Sequence, residues 1–232
     1  MKIVKISKTD GRSETKGCRG SAEEILKQLK EIWLNEDFKT LNFEISEEGG
    51  LYLGGDHSNT YNNFIKSECD GLLVFDAHPD VYQEFNNATH LDWLKFLIDE
   101  NKVKKENIVL VGIRSFHKKE INYLIENKIK YFDMKKIFEL DVKETCSCVM
   151  ELVRNFKKLY LSIDIDVVDP GFAPGVGFAE PGGLSSRDMI YFVQKLKLLK
   201  NLKKVDIVEI NTEKDINNIT SKLAAKLIWE LI

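Results

Sequence analysis

The sequence predicts an α/β fold, a three-layer α/β/α domain with a mainly parallel sheet. Short apolar runs alternate with longer amphipathic segments along the 232 residues, and such alternation is typical of strand–helix–strand units. Most of the apolar runs are continuous, as expected of parallel strands that are covered by helices on both faces. No Pro- or Ser-rich linker interrupts the pattern, so we expect a single domain over residues 1–232.

Seven apolar segments are the strand candidates, and they are spread over the whole chain. In chain order they read KIVKI, LYLGG, GLLVFDA, NIVLVGI, IKYFDM, KLYLSIDID and KVDIVEI.

Two capping boxes predict helix starts between these strands. In each, a serine is followed three residues later by an acid and then by apolar residues at the spacing of one helical face. The first is Ser21 with Glu24, before Ile25, Leu29, Ile32 and Trp33; the second is Ser185 with Asp188, before Met189, Phe192, Val193 and Leu196. The CSC stretch at 146–148 is expected to form part of another helix.

Composition and charge exclude several classes of partner. The formal net charge of -3 gives no electrostatic reason to expect binding to nucleic acid or to an anionic membrane. The four cysteines form no C-x-x-C pair, and the chain is too long for a disulfide scaffold. The N-terminal residues lack the apolar core of a signal peptide, and no apolar run approaches membrane-spanning length. We therefore expect a cytoplasmic protein.

Acids and imidazoles follow four of the strand candidates, always at the same end. Ligands of parallel sheets bind at the carboxyl ends of the strands, so these side chains are expected to meet. They are Asp56 and His57 after LYLGG, Asp76, His78 and Asp80 after GLLVF, Asp164, Asp166 and Asp169 after KLYLS, and Glu209 after KVDIV. Asp56 and Asp169 also fit turn-forming roles, beside glycines and before a proline respectively.

The segment DAHPD carries the clearest chemical signal. Asp76, His78 and Asp80 stand on alternate positions, so in an extended chain they share one face. Left unpaired, these charges would repel and be costly to desolvate, so a cation is expected between them. Two histidines and four aspartates are too many ligands for one ion but suit two ions that share carboxylates. Oxygen ligands mixed with imidazole favour Mn(II), and less decisively Zn(II), Ni(II) or Fe(II).

Three segments of the chain resemble the motifs of a known family. The segments GGDHS, DAHPD and SIDIDVVDPGFAPGVGFAEPGGLS resemble the three metal-site motifs of the ureohydrolase family, which includes arginases, agmatinases and formimidoylglutamases; the resemblance runs from about Leu51 to Ile232. It implies an arginase-like fold, a homo-oligomer (trimer or hexamer) and two Mn²⁺ per subunit. One ion would be held by His57, Asp76, Asp80 and Asp164, and the other by Asp76, His78, Asp164 and Asp166, with Asp76 and Asp164 bridging.

The resemblance also implies a reaction, the hydrolysis of a small guanidino substrate to urea and an amine. Glu209 matches the acid that pairs with the guanidinium, and a carboxylate suits that role because it can accept two parallel N–H bonds. Asp80 would hydrogen-bond the nucleophile. His90 stands where many members have a proton-shuttling histidine, a structural histidine at a helix start being the alternative. His117 is expected to be a surface residue at a helix start.

The loop after the third metal motif bears on the substrate. The stretch GVGFAEPGGLS keeps an acid-proline-glycine-glycine pattern more typical of agmatinases, so the leading substrate is agmatine, cleaved to putrescine and urea in polyamine biosynthesis. Val176 and Phe178 replace the family's usual threonines, which puts the tail pocket and turnover in question rather than the metals. Asn86, Asn87 and Phe178 are the expected contacts to the substrate tail.

Other interpretations of the function of these residues remain open. Arginine, another guanidino acid or formimidoylglutamate could replace agmatine as the substrate. A histone-deacetylase-like hydrolase would bind one zinc and lacks this pair of metal motifs. A non-hydrolytic relative, with its pocket closed by the altered GVGF loop, would bind metal but release no urea.

Overall fold

A computed structural model describes residues 2–10, 12–31, 43–82 and 86–232 of the chain. Within these ranges eight strands form one sheet, and every pair of neighbouring strands is parallel. The strands are β1 (Lys2–Lys5), β2 (Glu44–Ile45), β3 (Leu51–Leu53), β4 (Gly71–Phe75), β5 (Ile108–Ile113), β6 (Lys130–Asp133), β7 (Leu159–Asp164) and β8 (Leu202–Val208). Their order across the sheet is β2-β1-β3-β8-β7-β4-β5-β6.

All seven predicted strands are present, and the sheet contains one that was not predicted. The extra strand, β2, is two exposed residues long at the edge of the sheet, too short to give a periodic signal. The predicted strand KLYLSIDID ends earlier than expected, at Asp164. There the Asp164 carboxylate accepts a hydrogen bond from the backbone N–H of Asp166 at 2.8 Å, and this turns the chain into a short 3₁₀ helix over Ile165–Val167.

The described ranges contain eight α-helices, seven between strands and one after the last strand. They are α1 (Ser21–Glu31), α2 (Ser58–Ser67), α3 (Trp93–Asp99), α4 (Lys118–Glu126), α5 (Met134–Leu140), α6 (Val142–Val153), α7 (Ser186–Leu196) and α8 (Ile219–Leu231). None of them is both long enough and apolar enough to cross a membrane. Cys146 and Cys148 lie within α6, as predicted.

One of the two predicted capping boxes is confirmed and the other is wrong. Ser185 caps α7, its hydroxyl and the Asp188 carboxylate each bonding the other residue's backbone N–H. Ser21 caps nothing, because a 3₁₀ helix over Lys16–Gly20 runs directly into α1 and the Ser21 hydroxyl donates to the carbonyl of Cys18 at 2.7 Å. Of the apolar face predicted for α1, Ile32 and Trp33 lie outside the described residues.

Helices cover both faces of the sheet, which confirms the three-layer fold. Leu73 and Phe75 of β4 pack into one apolar cluster with α1, α6, α7 and α8, whereas Leu72 and Val74 pack into a second cluster with α2, α3 and α4. All four side chains are buried. This burial on both faces is what the continuous apolar runs predict.

The four middle strands of the sheet, β3, β8, β7 and β4, bring the chemical residues together. Their carboxyl ends lie side by side, although residues that follow them, such as His57 and Glu209, are as far as 152 positions apart in the chain. After β3 the chain turns through Gly54 and Gly55, whose φ angles are +89° and +73°. A β-carbon on Gly54 would lie 2.7 Å from the carbonyl oxygen of Ile6, so only glycine fits this turn.

Candidate metal centre and active site

The first group of possible metal ligands surrounds the imidazole of His57. Its Nδ1 lies 3.0 Å from Oδ2 of Asp76, 3.0 Å from Oδ2 of Asp80 and 3.2 Å from Oδ2 of Asp164. All four side chains are buried. Despite these short separations, His57 Nδ1 and Asp76 Oδ2 make no well-directed hydrogen bond within the described ranges. One imidazole nitrogen and three carboxylate oxygens therefore converge, but they do not satisfy one another's capacity for hydrogen bonding.

A buried hydrogen-bond chain explains why His57 Nδ1 is free to bind a cation. Ser162 donates its single hydroxyl hydrogen to Asp206 at 2.6 Å, so towards His57 Nε2, 3.0 Å away, it can only accept. The hydrogen of the neutral ring must then sit on Nε2, which leaves the lone pair on Nδ1. Asp206 is fully buried and also accepts from Thr60 at 2.8 Å and Tyr160 at 2.7 Å.

The second group surrounds His78. Its Nδ1 lies 3.0 Å from Oδ2 of Asp166 and 3.5 Å from Oδ1 of Asp76. Asp76 therefore turns one oxygen to each histidine, which is the arrangement of a carboxylate shared by two ions. Each of the two groups, His57 with Asp76 and Asp164, and His78 with Asp76 and Asp166, could hold a metal ion.

Hydrogen bonds fix the orientation of these carboxylates. Asp166 accepts the backbone N–H of Ala77 at 3.0 Å, which joins the ends of β7 and β4. Asp80 accepts the indole N–H of Trp93 at 2.6 Å. The centroid of the Trp93 ring also lies 4.6 Å from the centroid of the His57 imidazole. Asp80 has a left-handed φ of 52°, a strained conformation that persists only where the surroundings hold it.

The donor set fits a pair of hard divalent cations. Burial raises the pKa of Asp164 well above its usual value, and the negative charges of Asp166 and Asp76 raise it further. Burial and the charge of Asp76 raise the pKa of Asp80 in the same way. Carboxylates so close together cannot all ionise unless positive charge lies between them. Oxygen and imidazole ligands in this ratio suit Mn(II) and its neighbours better than softer ions.

Glu209 lies beside the first group of possible metal ligands. Its Oε1 accepts the backbone N–H of His57 at 2.8 Å, and its Oε2 is 3.6 Å from the Cys18 thiol. Burial, with the charge of Asp56 adding, raises the pKa of Glu209, so a cationic ligand would stabilise its ionised form. Like Asp80, it has a positive φ, 64°.

A cavity of about 230 Å³ opens onto both groups. It brings together most of the residues predicted for the site and adds several that sequence reasoning missed. The described residues that line it are His78, Asp80, His90, Leu91, Ser115, Asp164, Asp166, Phe178, Glu180 and Glu209.

His90 and Phe178 form one wall of this cavity. The two rings stack, with centroids 5.8 Å apart and planes inclined by 25°. Phe178 also meets His78 edge to face at 6.0 Å. The bulky ring at position 178 therefore lies between the second group of ligands and His90, and the pocket beside it stays open.

The structure places other predicted residues away from the cavity. Asn86 and Asn87 line a neighbouring cavity of about 740 Å³, and neither lines the one that contains Glu209. His117 caps α4, where its ring accepts the backbone N–H of Lys119 at 3.2 Å, which confirms its place at a helix start. Asp169 forms a turn, as expected, because its Oδ1 accepts the backbone N–H of Gly171 at 2.9 Å; its Oδ2 also accepts the backbone N–H groups of Gly182 and Gly183. Val176 is buried.

Ser162, Asp206 and Trp93 are the supporting residues that sequence reasoning missed. The first two lie inside continuous apolar runs, and the only available signal was a polar residue, in LYLSID and KVDIV, where a buried strand should carry an apolar one. Trp93 follows a loop and carries no signal of its own.

Fold and site together define a class: parallel α/β proteins that could hold two metal ions at the carboxyl edge of the sheet. Comparison with known proteins narrows that class. The family model described as "Arginase family" matches residues 7–232, and the chain belongs to this family.

Individual relatives give the same result. The chain is 33% identical over 189 residues to the mitochondrial arginase 1 of Oryza sativa subsp. indica, an alignment that covers 78% of this chain and 54% of that protein. It is 31% identical to the arginase of Staphylococcus aureus (strain COL), over an alignment of 258 positions with gaps included. That alignment covers 98% of this chain and 80% of that protein. The chain thus spans about half the length of the plant arginase that it matches. The solved proclavaminate amidino hydrolase of Streptomyces clavuligerus superimposes with a TM-score of 0.86 at 25% identity, covering 99% and 89%.

We expect Ser162→Ala to weaken metal binding about 10–100-fold, the cost typical of losing a partner that orients a histidine ligand. Without the hydroxyl, the hydrogen on His57 Nε2 has no acceptor and the ring is free to change tautomer. The measurement is the dissociation constant for Mn²⁺ by competition with a chelator.

Tyr160→Phe is the matched control, because it removes another hydroxyl that donates to Asp206, at 2.7 Å, and keeps the ring. It should leave the dissociation constant within about threefold, by the usual scatter of such substitutions. Equal affinities of Ser162→Ala and the wild type would contradict the role given to Ser162.

Proposed function

We propose that this chain is a binuclear manganese hydrolase that cleaves a guanidino group to urea and an amine. The observation that carries the proposal is the division of Asp76 between two histidine–aspartate groups, with the Glu209 carboxylate beside them in one cavity. The proposed ligands are His57, Asp76, Asp80 and Asp164 for one ion, and Asp76, His78, Asp164 and Asp166 for the other. When bound, two such ions lower the pKa of a water, so that a hydroxide nucleophile is available near neutral pH.

The remaining chemistry is assigned to side chains of this chain. Glu209 binds the guanidinium by charge-assisted hydrogen bonds and holds its carbon towards the metal-ligand groups. Asp80, held by Trp93, accepts a hydrogen bond from the nucleophile. As the C–N bond breaks, the departing nitrogen takes a proton from His90 and leaves as an amine, and the hydroxyl hydrogen of the former nucleophile passes to Asp80, so that neutral urea remains.

Agmatine is the proposed substrate, because the charge of the cavity suits a cationic tail. Glu180 lines the cavity, and its carboxylate makes no hydrogen bond or ion pair to another described residue. Among the described residues that line the cavity, none is a lysine or arginine. The Glu180 backbone is fixed, since its carbonyl accepts from Arg114 Nη2 at 2.8 Å. Phe178 and Leu91 supply an apolar surface for the methylene chain.

Arginine is the second candidate, and two observations favour it. The curated relatives described above are arginases at 31–33% identity. In addition, the Lys214 ammonium donates to the carbonyl of Gly177 at 2.8 Å, and this places a cation next to Phe178, a residue that lines the cavity. Other guanidino acids and formimidoylglutamate carry carboxylates too and belong with this candidate.

We propose further that residues 1–232 act as one domain in the cytoplasm and assemble as a homo-oligomer, a trimer or hexamer as in the family. A reducing compartment agrees with the four cysteines, which are all free.

The direct test is release of urea from agmatine, arginine, guanidinobutyrate and guanidine with Mn²⁺ added, together with release of formamide from formimidoylglutamate. We expect urea and putrescine from agmatine at the highest kcat/KM. Product from none of the five compounds, in a protein shown to contain two metal ions, would favour the non-hydrolytic relative. A single bound zinc would favour the deacetylase-like class.

Two charge-removing variants separate the candidate substrates. If agmatine is the substrate, Glu180→Gln should raise its KM about tenfold, equivalent to about 1.4 kcal/mol of binding, with kcat little changed. Lys214→Gln is the matched control and should leave both constants for agmatine unchanged. If Lys214→Gln instead raises the KM for arginine while Glu180→Gln leaves agmatine unaffected, the tail assignment is wrong.

A further inference from the structure

A contact between the N-terminal segment and His90 suggests a role for a residue with no motif around it. Asp10 follows β1 and lies eighty residues from His90 in the chain. Its Oδ2 is 2.5 Å from Nδ1 of the His90 ring and also accepts the His90 backbone N–H at 3.3 Å. One carboxylate oxygen therefore holds both the backbone and the ring of His90.

Asp10 is itself fixed from several directions. Its backbone N–H donates to Oδ2 of Asp56 at 2.6 Å. Its Oδ1 accepts the backbone N–H of Arg12 at 3.1 Å and the hydroxyl of Thr15 at 3.2 Å. These bonds leave its Oδ2 to face His90.

The other ring nitrogen of His90 is unpartnered. His90 is 5% exposed, and its Nε2 has no hydrogen-bond partner in the described part of the chain. The ring lies flat on Phe178 and lines the cavity that contains Glu209. A buried nitrogen without a partner is costly unless something enters the cavity to bind it.

We propose that Asp10 is a positioning residue for proton transfer: it holds His90 with the hydrogen on Nδ1 and Nε2 directed into the cavity, and it stabilises the imidazolium that donates to the departing amine. The proposal rests on the function proposed above. In this transfer Nε2 gives its proton to the nitrogen of the breaking C–N bond, the neutral ring keeps its Nδ1 hydrogen directed at Asp10, and the hydroxyl hydrogen of the nucleophile passes to Asp80. As in other sites where an aspartate orients a catalytic histidine, the carboxylate fixes the tautomer and the direction of the ring.

Charged groups around His90 agree with this role. Burial lowers the pKa of His90, but the bond to Asp10 and the negative charges of Glu209, Asp10 and Asp80 outweigh it, so the pKa is raised. Among other charges in this region, the acids Asp56 and Glu14 interact favourably with the imidazolium, and Arg12, whose Nε is 3.4 Å from Asp10, opposes it. A raised pKa favours the protonated form of His90, the form that can donate a proton, and this form is lost as the pH rises.

Asp10, Asp56 and His90 are also close enough to hold a cation, but their hydrogen bonds favour the positioning role. Both oxygens of Asp56 are used, one by the Ser58 hydroxyl at 2.5 Å and the other by the N–H of Asp10. Both oxygens of Asp10 also accept hydrogen bonds. The carboxylates of Asp10 and Asp56 are therefore satisfied by protein donors, whereas His57 Nδ1 and Asp76 Oδ2 of the first group are not.

The first test is kinetic and uses Asp10→Asn, which keeps the shape of the side chain and removes its charge. We expect kcat for the best substrate to fall about 10–100-fold, less than the 10²–10⁴-fold expected for loss of the acid itself, with KM within about threefold. The basic limb of the kcat–pH profile should move to lower pH, because His90 loses its proton more easily. A double variant with His90→Asn should be no slower than His90→Asn alone. Additive losses would overturn the proposal.

The second test does not depend on turnover. In the zinc-loaded protein, ¹⁵N NMR of the histidine side chains should show His90 with its neutral hydrogen on Nδ1 and a pKa above about 6.5, the ordinary value. His90→Asn assigns the signal, since the chain has only four histidines. Asp10→Asn should lower this pKa, whereas Glu23→Gln, which removes an exposed acid of α1 that pairs with Lys5, should leave it unchanged.

The two tests separate this proposal from the proposed function. If the wild-type protein releases no urea but shows the His90 signal and its response to Asp10→Asn, the hydrolase assignment is contradicted. The pairing of Asp10 with His90 then still stands. A wild-type His90 with its hydrogen on Nε2, or a pKa that Asp10→Asn does not change, would overturn the pairing even in an active enzyme. The wild-type spectrum decides the matter if Asp10→Asn does not fold.

Discussion

The structure depends on one electrostatic constraint: four buried aspartates and two histidines meet at the edge of a sheet with too little positive charge between them. Asp76 shows the constraint most clearly, because its two oxygens face different histidines. Without cations the cluster can avoid the repulsion only by retaining protons, as the raised pKa of Asp164 indicates. With two divalent ions every carboxylate can ionise, so the same residues that would destabilise an apolar core become a binding site.

The fold meets this constraint by supporting the site with a second layer of hydrogen bonds. The chain from Asp206 through Ser162 to His57 lies beneath the first group of ligands, and Trp93 holds Asp80 from the side. On the far side of the cavity Asp10 holds His90. Strands buried on both faces make such contacts rigid, and the left-handed backbones of Asp80 and Glu209 are maintained by these surroundings.

Much of the fold and the group of possible metal ligands could be predicted from the sequence, because each rests on a local pattern. Continuous apolar runs gave the buried parallel strands, and acids after four of them gave the cluster at the carboxyl edge. Ser21 failed as a cap because a 3₁₀ helix precedes it, which the capping pattern does not reveal. Asp10 could not be found because its role arises from a contact between distant segments, and Ser162 and Asp206 were marked only by being polar residues within apolar runs. Asn86 and Asn87 follow the residues 83–85 that the structure does not describe, and sequence spacing alone could not tell which cavity they line.

The central claim is that this cluster binds a pair of metal ions, and anomalous scattering tests it most directly. Crystals grown with Mn²⁺ should show two anomalous peaks among the six proposed ligands, roughly 3.5–4 Å apart as in other two-metal sites. Asp166→Ala, which removes a ligand of the His78 group only, should retain the peak near His57 and lose the other. A wild-type crystal with one peak or none at this position would contradict the account.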